Sequence, residues 1–182
     1  MQKSDPDWPD VAALQRGEDA ALDRIMERHR DPLFGFVRRM IGNAQDAEEI
    51  AQETFVRAYF QIQKYRPKAP FAAWLYQIAR NLCRDYFRSR AYKQALASEG
   101  LDGLPHEPVQ TGKRSNLEEE RIEVVQAALM KLPPKLRECL ILTAIEGLSQ
   151  AEAGARLGLT AKAVEVRNYR ARSLLSQLLK NF

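Results

Sequence analysis

Asp46-Ala-Glu-Glu-Ile-Ala-Gln-Glu-Thr-Phe-Val-Arg-Ala-Tyr59 is the stretch that decides the fold class. Asp46, Glu49, Gln52 and Glu53 recur at three- and four-residue steps, so they share one face of a helix. Ile50, Ala51, Phe55 and Tyr59 share the opposite, apolar face. Such a segment turns its apolar side inward and leaves a carboxylate row outside. Taken alone, that row is equally a solubilising face.

Helical spacing continues on both sides, and no stretch alternates like a strand, so the sequence predicts an all-α protein. Upstream, Asp31-Pro32 is expected to start a helix carrying Phe34, Val37 and Ile41, with Gly42-Asn43 ending it. The next helix is expected from about Ala44 to Tyr65, with Ala51, Phe55, Ala58 or Tyr59, and Ile62 along one stripe. Pro67 and Pro70 break the pattern, and a further helix from Phe71 to about Lys93 opens aromatic and ends basic. Ser98-Glu-Gly-Leu-Asp-Gly-Leu-Pro-His-Glu-Pro108 has no period and is rich in Gly, Pro and acid, as linkers are. The sequence therefore predicts two small helical domains, residues 1–95 and 117–182, joined by a flexible linker at 96–116. Proteases are expected to cut first in that linker and to release two separate helical fragments.

The second block opens with Leu132-Pro133-Pro134, expected to start a helix carrying Leu136, Leu140, Ile141, Ala144 and Ile145, with Gly147 just past its end. Ser149-Gln-Ala-Glu152 then has the spacing of a capping box. Gly158 sits at a turn, and Thr160 is placed to cap a long helix with Val164, Ala171, Leu174, Leu175 and Leu178 on one side. Small Gly154 at the crossing, with Leu157, Leu159 and Val164 filling the wedge, completes a helix-turn-helix pattern. In that arrangement the second helix enters the major groove. Lys162, Glu165 and Tyr169 would face bases, and Arg167, Arg170 and Arg172 would lie near phosphates.

Composition narrows the function. The 182-residue chain is 45% hydrophobic and 29% charged, with a net charge of +4. Charge is segregated: Arg80, Arg84, Arg88, Arg90 and Lys93 form one basic helix, and Lys162, Arg167, Arg170, Arg172 and Lys180 another. The Asp46–Glu53 segment is acidic, so at least two kinds of partner are expected. Met1 to Asp10 are polar and include Pro6 and Pro9, unlike a signal peptide, and no apolar run suits a membrane helix. A soluble, cytoplasmic protein without membrane insertion is expected. Cys83 and Cys139 lie far apart, and His29 and His106 lie at no ligand spacing from them, so no metal site and no cofactor are expected. Isolated histidines and the absence of a clustered carboxylate pocket also argue against an enzyme. The competing reading is a dimeric helix-turn-helix regulator, which leaves the second basic, aromatic helix unexplained.

That helix reads Phe71-Ala-Ala-Trp-Leu-Tyr-Gln-Ile-Ala-Arg-Asn-Leu-Cys-Arg-Asp-Tyr-Phe-Arg88. Trp74, Ile78 and Leu82 form a core stripe, and Asn81, Arg84 and Arg88 fall away from it, with Tyr76, Tyr86 and Phe87 interleaved. Cations alternating with rings suit single-stranded nucleic acid, whose bases stack while its phosphates are held. These segments, with Leu-Pro-Pro-Lys-Leu-Arg-Glu138, Glu-Gly-Leu-Ser-Gln-Ala-Glu152 and Tyr-Arg-Ala-Arg172, together resemble the extracytoplasmic-function (ECF) sigma factors of bacterial RNA polymerase.

The resemblance implies two helical domains, sigma regions 2 and 4, and a factor that directs promoter-specific transcription under the control of an anti-sigma factor. It implies that Asp46, Glu49, Gln52 and Glu53 bind core RNA polymerase. Tyr76, Arg80, Asn81, Arg84 and Arg88 would recognise and help open the −10 element, Asn81 contacting a flipped base. Thr160, Lys162, Glu165, Arg167, Tyr169, Arg170 and Arg172 would read the −35 element. Glu165, Val166 and Gly154 depart from the usual family residues, which leaves the −35 sequence undetermined.

Overall fold

The computed structural model describes residues 5–99 and 117–180. Among the described residues, all regular structure is helical: α1 (Trp8–Gln15), α2 (Ala20–Ile41), α3 (Ala44–Gln61), α4 (Phe71–Glu99), α5 (Leu117–Lys131), α6 (Pro134–Leu140), α7 (Gln150–Leu157) and α8 (Ala161–Leu179). The expected linker falls mostly outside the described residues. Its first part does not, because α4 runs on to Glu99 rather than ending near Lys93. Ala91, Ala95, Leu96 and Ala97 are good helix formers, and no breaker occurs before Gly100.

The expected helix start at Asp31-Pro32 is corrected: α2 passes through Pro32 without ending. Ala21 and Ile25 before it, and Leu33, Phe36 and Val37 after it, form one buried stripe. Burying a large aliphatic or aromatic side chain stabilises by roughly 1.5–3 kcal/mol. Several such residues outweigh the ~3 kcal/mol cost of an interior proline. The helix then stops where expected, at Gly42 with φ of 84°. Asn43 caps α3, its side chain accepting from the Asp46 backbone N–H at 3.0 Å. Ala47, Ile50, Ala51, Thr54, Phe55 and Ala58 are the buried side of α3. A single 3₁₀ turn at Ile62–Lys64 closes that helix.

The N-terminal segment is tied in by carboxylates. Asp5 Oδ2 accepts the Phe71 backbone N–H at 2.8 Å, serving the start of α4. Asp7 is buried and takes Arg28 Nε at 3.0 Å and His29 Nε2 at 2.9 Å. Burial pushes the Asp7 carboxyl up, but the hydrogen bonds and charges of His29 and Arg28 outweigh it and hold it below its ordinary value.

In the C-terminal block, α6 is shorter than the sequence suggests. After Leu140 the chain widens into a π-helical turn, Ile141–Ile145, leaving Ala144 and Ile145 exposed. Gly147 follows with φ of 71°. Leu174, expected on the apolar side of α8, is exposed.

The two domains are not separate beads. Cys139, Ile141, Leu142, Ala153, Leu157 and Val164 belong to the same buried cluster as Phe36, Leu75, Tyr76 and Ala79. α7 lies on α4, and α5 and α6 lie against α2. Both cysteines are buried free thiols.

Candidate nucleic-acid interface

The helix-turn-helix forms as its local chemistry dictates. Ser149 Oγ accepts the Glu152 backbone N–H at 3.2 Å, and Glu152 accepts back from the Ser149 backbone at 2.9 Å, so both halves of the capping box are made. Gly158 takes the left-handed turn with φ of 66°. Gly154 is required by contact, since a Cβ there would lie 2.7 Å from the Leu159 carbonyl oxygen. Thr160 Oγ1 caps α8 by accepting the Ala163 N–H at 3.2 Å. Lys162, Glu165, Arg170 and Arg172 are exposed, and Tyr169 stands out at 78% exposure. Lys162 and Glu165 pair with each other at 2.9 Å. Arg167 behaves differently: it is half-buried and reaches Glu138 at 3.5 Å.

On α4 the named residues divide. Asn81, Arg84 and Arg88 are exposed. The Asn81 side-chain oxygen accepts from Gln77 at 3.1 Å and from Arg84 at 3.3 Å, so the amide is already oriented. Arg88 forms an exposed pair with Asp85 at 3.6 Å. Tyr76 is placed otherwise: it is 1% exposed, its hydroxyl 3.4 Å from Glu146 and its ring beneath the Arg156 guanidinium at 4.8 Å. Burial and the Glu146 charge raise the pKa of its hydroxyl. Arg80 donates to both Glu138 oxygens, at 2.9 and 3.1 Å, and to the Leu157 carbonyl at 3.0 Å. In this arrangement neither Tyr76 nor Arg80 is open to a DNA strand. Tyr86 and Phe87 are also half-buried, Tyr86 donating to Asp46 at 2.7 Å and Phe87 packing against the core.

The acidic face of α3 forms a surface. Glu49 and Gln52 are exposed, Glu53 pairs with Arg57 at 2.7 Å, and Asp46 is held by Tyr86. Sequence reasoning missed what continues it. Val56 and Phe60 follow Gln52 at successive four-residue steps and are 47% and 76% exposed, so the acidic row ends in an apolar knob. The signal was present in the spacing, which puts residues 52, 56 and 60 on one face. The surface thus carries an acidic row ending in an apolar knob on α3, an oriented amide with exposed arginines on α4, and a capped, basic α8.

Comparison with known proteins agrees. The Sigma-70 region 2 family matches residues 25–92, and the Sigma-70 region 4 family matches residues 122–175. The RNA polymerase sigma factor CnrH of Cupriavidus metallidurans is 36% identical over 185 residues, covering 98% of this chain and 97% of that protein. The ECF RNA polymerase sigma factor SigE of Mycolicibacterium smegmatis is 35% identical over 193 residues, covering 98% of this chain and 73% of its relative. Among solved structures, CnrH in complex with the cytosolic domain of CnrY matches with a TM-score of 0.70 and 32% identity, covering 94% of this chain and 96% of that one. The chain belongs to the ECF sigma factors of bacterial RNA polymerase.

Proposed function

We propose that α3 is the polymerase-binding helix, that exposed α4 residues read and hold the −10 strand, and that α8 reads the −35 element. The observation that carries the first assignment is the continuous outer face of α3, where Glu49 and Gln52 run into Val56 and Phe60. Interfaces of this kind join a desolvated apolar anchor to charges that steer the approach. Asn81 offers donors and an acceptor to a base, and Arg84 and Arg88 hold phosphates. The factor makes and breaks no covalent bond. It lowers the cost of strand opening by binding the unstacked strand, in the cytoplasm where core polymerase works. No helix among the described residues is long and apolar enough to cross a membrane, which fits that setting. The likeness to CnrH, seen in complex with the cytosolic domain of CnrY, supports control by an anti-sigma factor as a separate chain.

The test is reconstitution with core polymerase. Asp46→Lys with Glu49→Lys should leave the circular-dichroism melt near wild type and abolish core binding, since losing one side of a central charge pair costs about 2–5 kcal/mol. Phe60→Ala should weaken binding by about 1–2 kcal/mol. Unchanged affinity in both folded variants would remove α3 from the interface.

A further inference from the structure

Between α3 and α4 the chain makes a short bridge, residues 62–70, with Lys64, Arg66 and Lys68 on its exposed side. Its inner side is held by several independent bonds. The Gln15 amide, at the end of α1, donates to the Ile62 carbonyl at 2.9 Å and to the Tyr65 carbonyl at 3.3 Å. The Gln63 amide returns a bond to the Gln15 carbonyl at 2.7 Å. Arg66 donates to the Gln63 and Tyr65 carbonyls at 2.6 and 3.1 Å, which ties its guanidinium to the bridge itself. Tyr65 is buried against Phe71 and Trp74, and its hydroxyl donates to the Ala69 carbonyl at 2.7 Å. Lys64 and Lys68 are left exposed, and neither enters an ion pair among the described residues.

The bridge runs straight into the first turn of α4, where the Pro70 carbonyl accepts from the Ala73 N–H at 3.0 Å. Gln77, Asn81, Arg84 and Arg88 follow Ala73 at three- and four-residue steps, so the bridge lies at the upstream end of their face. From Phe71 to Asn81 is about 15 Å along the helix, the span of about four phosphates of one strand. We propose that the bridge is a further promoter contact, in which Lys64 and Lys68 hold phosphates of the strand that α4 reads, and that Gln15 is the positioning residue that sets their reach. This rests on the reading of α4 as DNA-facing. A bridge pinned at Ile62 and Tyr65 fixes the backbone from which both lysines extend. Cations on a fixed backbone lose less freedom on meeting a strand than cations on a loose one. Gln15 makes no bond to α4 among the described residues, so its influence on the strand passes through the two carbonyls it holds.

The test uses the full-length factor bound to core polymerase, and a promoter fragment whose −10 segment is already single-stranded. Lys64→Ala with Lys68→Ala should lower the slope of log affinity against log salt by about 1.4, at about 0.7 for each single-strand phosphate contact. Gln15→Met keeps the length of the side chain and removes its donors. It should lower the slope in the same direction and leave core binding unchanged. Gln63→Ala removes the return bond from an exposed position and is the second variant. With both lysines already replaced, neither glutamine variant should lower slope or affinity further, because residues acting through one contact do not add. An unchanged slope in the lysine pair refutes the bridge as a promoter contact. Equal losses from the glutamine variants with and without the lysines refute the positioning role. Asn81→Ala, measured alongside, separates the two readings. If it flattens the −10 preference while the lysine pair changes nothing, the reading of α4 stands and the bridge contact alone is refuted; if neither has an effect, both fall.

Discussion

At the scale of single residues, Asn81 and Arg88 are expected to fail differently. Asn81 is exposed and its amide is oriented by Gln77 and Arg84. A bidentate base contact discriminates by roughly 1–3 kcal/mol. Asn81→Ala should therefore flatten the preference at one −10 position and leave polymerase binding intact. Arg88→Ala should weaken transcription evenly across −10 variants; its exposed pair with Asp85 holds it only weakly, such pairs giving about 0–1 kcal/mol. Transcription from promoters varied singly at each −10 position separates the two, and uniform loss with Asn81→Ala would make that residue structural. Asp7 carries a prediction of another kind. Its carboxyl is held below the ordinary value of 3.8. It therefore contributes stability at pH above that value, and the contribution is lost as pH falls through the lowered one. Asp7→Asn should cost about 1–3 kcal/mol at neutral pH. An acid titration of its melt should be flatter than wild type below pH ~4; parallel curves would remove Asp7 from the acid response.

At the scale of elements, what could be read depended on whether the cause was local. The α3 faces, the Gly42 stop, the Ser149 capping box and the Thr160 cap each follow from a few adjacent residues, and all were legible. The passage of α2 through Pro32 was not, because the buried stripe that holds it lies on both sides of the proline and packs on other helices. The π-turn after α6 was likewise hidden. Its sequence continues the helical period, yet Glu146 N–H bonds five residues back to the Ile141 carbonyl at 3.0 Å, and Leu148 N–H to the Leu142 carbonyl at 3.0 Å ends the helix. Gly154 is the sharpest local test. A Cβ at 2.7 Å from the Leu159 carbonyl has only backbone to push against. Gly154→Ala should destabilise the helix-turn-helix by about 1–3 kcal/mol, as overpacking does, and weaken −35 binding more than −10 binding. A melting temperature equal to wild type would mean the α7–α8 crossing is looser than drawn.

At the scale of the whole molecule, the docking of the domains was the least legible feature. Tyr76 reads as an aromatic among cations, and no periodicity distinguishes a face kept for DNA from one laid on a second domain. Arg137 shows what joins them. It is buried, donates to the Met40 carbonyl at the end of α2 and, in the C-terminal block, to the Met130 and Leu132 carbonyls at the end of α5. Phe87 of α4 lies 5.6 Å from its guanidinium. Burial pulls its pKa down to about 10, so it remains cationic at neutral pH, where helix C-terminal carbonyls favour a cation. With Ile141, Leu142 and Leu157 in the same cluster as Phe36 and Leu75, the two domains share part of their buried core. The free protein should therefore unfold in one calorimetric transition. Arg137→Met keeps an apolar stem but leaves helix-end carbonyls of both domains without their donor, at a cost on the order of 2–4 kcal/mol. That loss falls on the contact between domains, so the single transition should split, with region 4 melting first. Two transitions in the wild-type protein would show instead that the domains part before they unfold, and that the shared core adds little to either.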